Sequence, residues 1–188
     1  MPATTAYSVR VSIMSSPATE AGVCAEVWRF IAMALAEPAA DSAELISEQP
    51  YQPEWLTSAL GELATVALDV WQGEHTRLFT FPAVCPPFAS TFLEDGVLDG
   101  HRAGELERFY GQYDLAIQGL PADYLGTMAE FIGFFLEKDD TSAAADFYRE
   151  YLADWLDRFC DCLERHAEFM FYRELAGEIR RQARGLRP

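Results

Sequence analysis

The chain has 188 residues, half of them apolar, and a formal net charge of −16. That length suits one domain with a real core, and that apolar content excludes a disordered chain. Nucleic acid is bound through Lys and Arg that displace counterions from phosphates, so the charge argues against such a partner and matches a basic one.

Residues 1–15 are expected to form a flexible N-terminal tail, and residues 16–188 an all-helical domain of about seven or more helices. Ser16 and Pro17 place an N-cap residue before a proline at the first helical position. Trp28, Ile31, Ala32 and Leu35 follow at helical spacing until Pro38 stops the run. Asp41 is positioned to cap a short helix through Glu48. Pro53 then opens a longer one, whose stripe of Leu56, Leu60, Leu63, Ala67, Val70 and Trp71 predicts one buried face. Gly73 is expected to interrupt it before a last turn or two carrying Arg77, Leu78 and Phe79.

Residues 81–89 hold three prolines, which fix φ and remove amide donors, so a stiff loop is predicted. Residues 91–98 have slight strand character around a turn at Asp95-Gly96. One strand makes no sheet, so a local bend is expected. Residues 103–111 read as helix and Tyr113 to Leu120 as a connector. Pro121 then opens the most apolar helix, to about Lys138. It is hydrophobic nearly all round, which predicts a central position. Thr141 is expected to cap the next helix, with Tyr148, Leu152, Trp155, Phe159 and Leu163 on one face. Asp146, Glu150, Asp154, Asp157, Asp161 and Glu164 form an acidic, solvated stripe opposite, with Asp161 and Arg165 as an i, i+4 pair. A last helix spans 169–184, burying Leu175 and Ile179, with Arg180, Arg181 and Arg184 complementing the dipole at its end.

The four cysteines could pair, but no secretion signal is visible. The expectation is therefore reduced thiols in a cytosolic setting. The apolar run from Leu125 to Leu136 carries Glu130 and is too short to span a bilayer.

Chemistry-bearing motifs of the enzyme kind are missing. There is no phosphate-cradling glycine loop and no Gly-x-Ser-x-Gly elbow, and His75, His101 and His166 are scattered. Cys160 and Cys162 diverge by about 200° on a helix and cannot readily chelate one ion. What stands out is Glu74 with Arg77, Leu78 and Phe79, then Pro86, Pro87, Phe88, Ser90 and Phe92, then Pro121, Asp123 and Tyr124. Two readings of the aromatics stay open: rings folded over the core, or an apolar groove for a peptide. Asp123 likewise reads as a helix cap or as a carboxylate for an arginine.

This order of motifs resembles the TorD/DmsD/NarJ family of redox-enzyme maturation chaperones. It runs from an acid through Arg-Leu-Phe and a proline-rich loop to Pro-aromatic-x-Ser-x-aromatic, then to Pro-x-Asp before an apolar helix. Trp155-Leu156 and the stretch from His166 to Arg173 add to the likeness. The resemblance covers roughly residues 20 to 185. Tyr124 stands where the family often has His, and Phe88 where it often has Trp or Tyr. The resemblance implies a cytoplasmic all-α chaperone, a TorD-like helical bundle without cofactor or catalytic residues. Its implied partner is a molybdoenzyme catalytic subunit, taken by its twin-arginine leader or an equivalent N-terminal segment until cofactor insertion. The implied binding residues are Leu78, Phe79, Pro87, Phe88, Ser90 and Asp123. The groove hypothesis adds Glu74, Arg77, Pro86, Phe92 and Tyr124. The alternatives are an assembly factor that binds the enzyme body without a leader and, on no motif, a small helical enzyme. Some relatives swap helices, so monomer and domain-swapped dimer are both open, with Asp114 to Pro121 as the hinge.

Overall fold

The computed structural model describes residues 24–94, 100–117 and 119–187. The expected tail over 1–15, the helix start at Ser16-Pro17 and the turn at Asp95-Gly96 lie outside them. Among the described residues there are ten α-helices and no strand, so the all-α expectation holds. In chain order they are α1 Ala25–Ala34, α2 Ser42–Ser47, α3 Glu54–Leu63, α4 Leu68–Phe79, α5 Ala89–Leu93, α6 His101–Gly111, α7 Leu125–Glu137, α8 Thr141–Tyr151, α9 Leu156–His166 and α10 Met170–Leu186.

α7 is the central element, as its all-round apolarity predicts. Nine of its thirteen residues are buried. α1 runs along it, close enough that a Cβ on Gly133 would sit 3.4 Å from the Ala25 carbonyl oxygen. α8 packs on α7 too, and between them and α6 lies an aromatic cluster. Phe131 is its hub, with ring centroids 4.6 Å from Tyr110, 4.7 Å from Phe135 and 5.0 Å from Phe147, mostly edge to face. α10 closes the other side, with Leu175, Ala176, Ile179 and Ala183 fully buried against α9, α3, α8 and α1.

Several expectations need correcting. The helix opened by Pro53 does not run to Gly73; it breaks at Ala64–Ala67, and Gly73 lies inside α4. The break tightens into i→i−3 bonds, Thr65 N–H to Glu62 and Val66 N–H to Leu63, before Ala67 turns extended. Ala67 and Val70 leave the buried stripe; both are exposed, Val70 to 52%. Residues 89–93 form the short α5 rather than a bend. Asp140, not Thr141, caps α8, its Oδ1 accepting from the Ala143 amide at 2.9 Å. A turn at 152–155 divides the expected long helix into α8 and α9, although Tyr148, Leu152, Trp155, Phe159 and Leu163 are all buried as predicted.

The acidic stripe is solvated, but its C-terminal half is also a seam. Arg180 of α10 pairs with Glu164 at 2.8 Å and with Asp161, and Arg187 reaches Asp157 at 2.7 Å. Asp161 therefore serves α10 rather than Arg165. Pairs this exposed contribute about 0–1 kcal/mol each, so apolar burial, not charge, holds α9 to α10.

Candidate functional site

The proline loop is pinned at both ends. At its start it folds back over the C-terminus of α4, whose last carbonyls have no intrahelical partner. The Val84 amide donates to the Arg77 carbonyl at 3.0 Å and the Cys85 amide to Leu78 at 2.8 Å. At its end it pairs with the segment before α7. The Leu125 amide donates to the Pro87 carbonyl at 2.8 Å, and the Ala89 amide to the Asp123 carbonyl at 3.1 Å. Phe88 and Tyr124 thus face each other as an isolated antiparallel bridge, ring centroids 5.6 Å apart.

Asp123 is fully buried and sits two residues before α7, outside its first turn. Its carboxylate does act as a cap, but of the neighbouring helix. Oδ2 accepts from the Ser90 amide, in the first turn of α5, at 2.8 Å. Oδ1 and the Ser90 hydroxyl have no hydrogen-bond partner among the described residues. One carboxylate oxygen is therefore committed, which leaves no two-oxygen fork for a guanidinium.

The segment from Pro121 to Tyr124 is held by two more hydrogen bonds. The Tyr110 hydroxyl donates to the Ala122 carbonyl at 3.1 Å, and burial raises its pKa well above the usual range. The Tyr124 hydroxyl donates to the Leu35 carbonyl at 2.7 Å, at the end of α1. His75 Nε2 lies 3.1 Å from the same carbonyl, so the neutral ring carries its proton there. Burial lowers the His75 pKa, while the bond to Leu35 and the Glu37 charge oppose that shift.

Glu74 and Arg77 form a second lock. Glu74 is 6% exposed. Its Oε2 takes the Arg77 guanidinium at 2.8 Å and its Oε1 the Glu168 amide at 2.6 Å. Arg77 also donates to the His166 carbonyl at 2.7 Å. Together they tie α4 to the connector between α9 and α10.

The structure thus brings Phe88, Ser90, Asp123 and Tyr124 into one ladder. It places Leu78 and Phe79 in the core, where Phe79 meets His75 at 5.0 Å and Tyr172 at 5.3 Å. Pro87 is buried and Pro86 half-buried. Phe92, also half-buried, stacks on Trp155 at 5.5 Å under the Arg158 guanidinium. These side chains do not line an open groove; of the two readings of the aromatics, core packing describes this conformation. The residues the sequence left unmarked are at the loop tip, where Phe81 is 59% and Val84 40% exposed. Their only sequence signal was their place in the proline-rich loop.

The expectation of reduced cysteines is overturned for one pair. Cys85 and Cys162 are joined in a disulfide, which ties the loop to α9. The divergence of Cys160 and Cys162 is as expected, Cys160 facing the core. A cleft of about 380 Å³ lies elsewhere, between α6 and α8, and includes Phe109, Phe147 and Tyr151. Among the described residues no three His, Cys, Asp or Glu side chains converge as a metal ion would need. No described helix is long and apolar enough to cross a membrane.

Three likenesses to known proteins bear on this arrangement. The sequence model described as nitrate reductase delta subunit matches residues 42–161, a span holding both the proline loop and Asp123. The chaperone protein YcdY of Escherichia coli K12 is 28% identical over 94 residues, 48% of this chain and 48% of that protein. The chain thus aligns with about half the length of that curated relative. A candidate redox enzyme maturation protein from Archaeoglobus fulgidus superposes with a TM-score of 0.62 at 21% identity, covering 91% of this chain and 97% of that one. At that identity the structural likeness speaks for the fold alone.

Proposed function

Because the chain belongs to the nitrate reductase delta subunit family, we propose that it is a cytoplasmic maturation chaperone. It holds the catalytic subunit of a molybdenum-cofactor oxidoreductase by its twin-arginine leader, or an equivalent N-terminal segment, until the cofactor is inserted and the enzyme assembled. The role is not catalytic and calls for no bound cofactor. The family match across the loop and Asp123 carries this reading, and the names borne by the two relatives agree with it.

The geometry supports a division of labour. Glu74, Arg77, Leu78, Phe79, Pro87, Phe88, Ser90, Asp123 and Tyr124 fix the loop's position from beneath. Pro86, Phe92 and the exposed Phe81 and Val84 offer apolar surface to a partner. A twin-arginine leader joins a cationic stretch to an apolar one. The acidic protein attracts the first and speeds encounter, while the loop buries the second. Losing the burial of Phe81 or Val84 would cost roughly 1–2 kcal/mol each, about tenfold in affinity per residue.

Calorimetry with a synthetic twin-arginine leader peptide tests this. Phe81→Ser with Val84→Ser is expected to weaken binding by at least about tenfold while leaving the melting temperature unchanged. Equal affinity of the double variant and the parent chain would remove the loop tip from the site.

A further inference from the structure

Cys85 closes the proline loop and has no exposed surface, whereas Cys162 is half-buried on α9. Their Cα atoms are 5.7 Å apart, within the usual span of a disulfide, across 77 positions of sequence. Cys162 Sγ also lies 3.1 Å from the Val84 carbonyl oxygen. An acceptor for the Cys162 thiol proton is therefore in place at the moment the bond is reduced.

The two other cysteines are poor exchange partners. Burial pushes the Cys160 thiol up to about 12, and burial with the Glu26 carboxylate raises that of Cys24. Thiolate, not thiol, attacks a disulfide, so neither competes for the bond.

We propose that Cys85 and Cys162 form a reversible thiol–disulfide site whose state sets whether the tip carrying Phe81 and Val84 is pinned to α9. Its reductant is a dithiol and its oxidant a low-molecular-weight disulfide. In the reducing direction one thiolate of the dithiol attacks Cys162 Sγ, on the less buried of the two cysteines. The protein disulfide breaks, and Cys85 leaves as a thiolate that takes a proton from water. The second thiolate of the reagent then attacks its own sulfur in the mixed disulfide. Cys162 leaves and is protonated, now facing the Val84 carbonyl. The protein gains two electrons and two protons, and the dithiol becomes a cyclic disulfide. Oxidised glutathione runs the sequence backwards and is released as two reduced molecules.

The site stands apart from the choice of partner, and its test reads sulfur and backbone rather than binding. Free thiols are counted by maleimide–polyethylene glycol gel shift on denatured protein after equilibration with oxidised glutathione or dithiothreitol. Two of the four cysteines are expected to react after the first and all four after the second. Hydrogen exchange over residues 80–86 is expected to be about tenfold faster, or more, in the reduced protein. Cys162→Ser, at the half-buried position, should show the fast exchange and three reactive thiols in both buffers. Cys160→Ala should keep the response. Four reactive thiols after oxidised glutathione, or equal exchange at the tip in both states, overturns the proposal.

Discussion

Replacing Asp123 by Ala removes the acceptor of the Ser90 amide, a bond of 2.8 Å between two fully buried groups. The backbone ladder beside it survives, because Ala89 and Leu125 donate to the carbonyls of Asp123 and Pro87 rather than to the side chain. The loss is therefore one charge-assisted hydrogen bond plus a buried, unpaired N–H, about 2 kcal/mol. A chain of 188 residues unfolds with an entropy of roughly 0.4 kcal/mol/K, so the melting temperature should fall by about 5 °C. Asp123→Asn keeps an acceptor oxygen and should lose less than about half of that. Urea titration and thermal melting by circular dichroism read both variants. Asp123→Ala within about 0.5 kcal/mol of the parent chain, a typical neutral surface change, would refute the cap.

Two further perturbations address the other locks. Glu74→Ala should cost about 2 kcal/mol in urea unfolding, mostly through the stranded Glu168 amide, since the half-exposed Arg77 is screened; Glu74→Gln should restore much of it. His75 has a folded pKa below its ordinary 6.5. The unfolded chain therefore binds the proton first, and stability present above about pH 6.5 should be lost as pH falls through the folded value. A urea midpoint that falls between pH 7.5 and 5.5 in the parent chain, but falls less in His75→Gln, is the expected result.

Much of the fold was legible because apolar spacing survives bends. Leu56, Leu63, Trp71 and Leu78 continue one period through the break at Ala64–Ala67, since α3 and α4 face the same core. For the same reason the break itself left no mark: no Gly or Pro stands in it. Leu152 to Trp155 hides the second bend in the same way. The motifs converge in space, but their side chains turn into the protein rather than lining the simplest groove. Phe88 and Asp123 do meet, yet inside the protein, because the carboxylate caps a helix 33 residues earlier in the chain. That pairing, like the approach of Cys85 to Cys162, depends on how separate helices dock and has no local signature.

The claim that this chain grips a greasy, cationic N-terminal segment is tested most directly by titrating it with a molybdoenzyme catalytic subunit, with and without that subunit's N-terminal segment. Binding to the complete subunit that vanishes when the segment is removed, and falls with Phe81→Ser and Val84→Ser, is the predicted result. Undiminished binding to the shortened subunit would contradict it and assign the chaperone to the body of the enzyme.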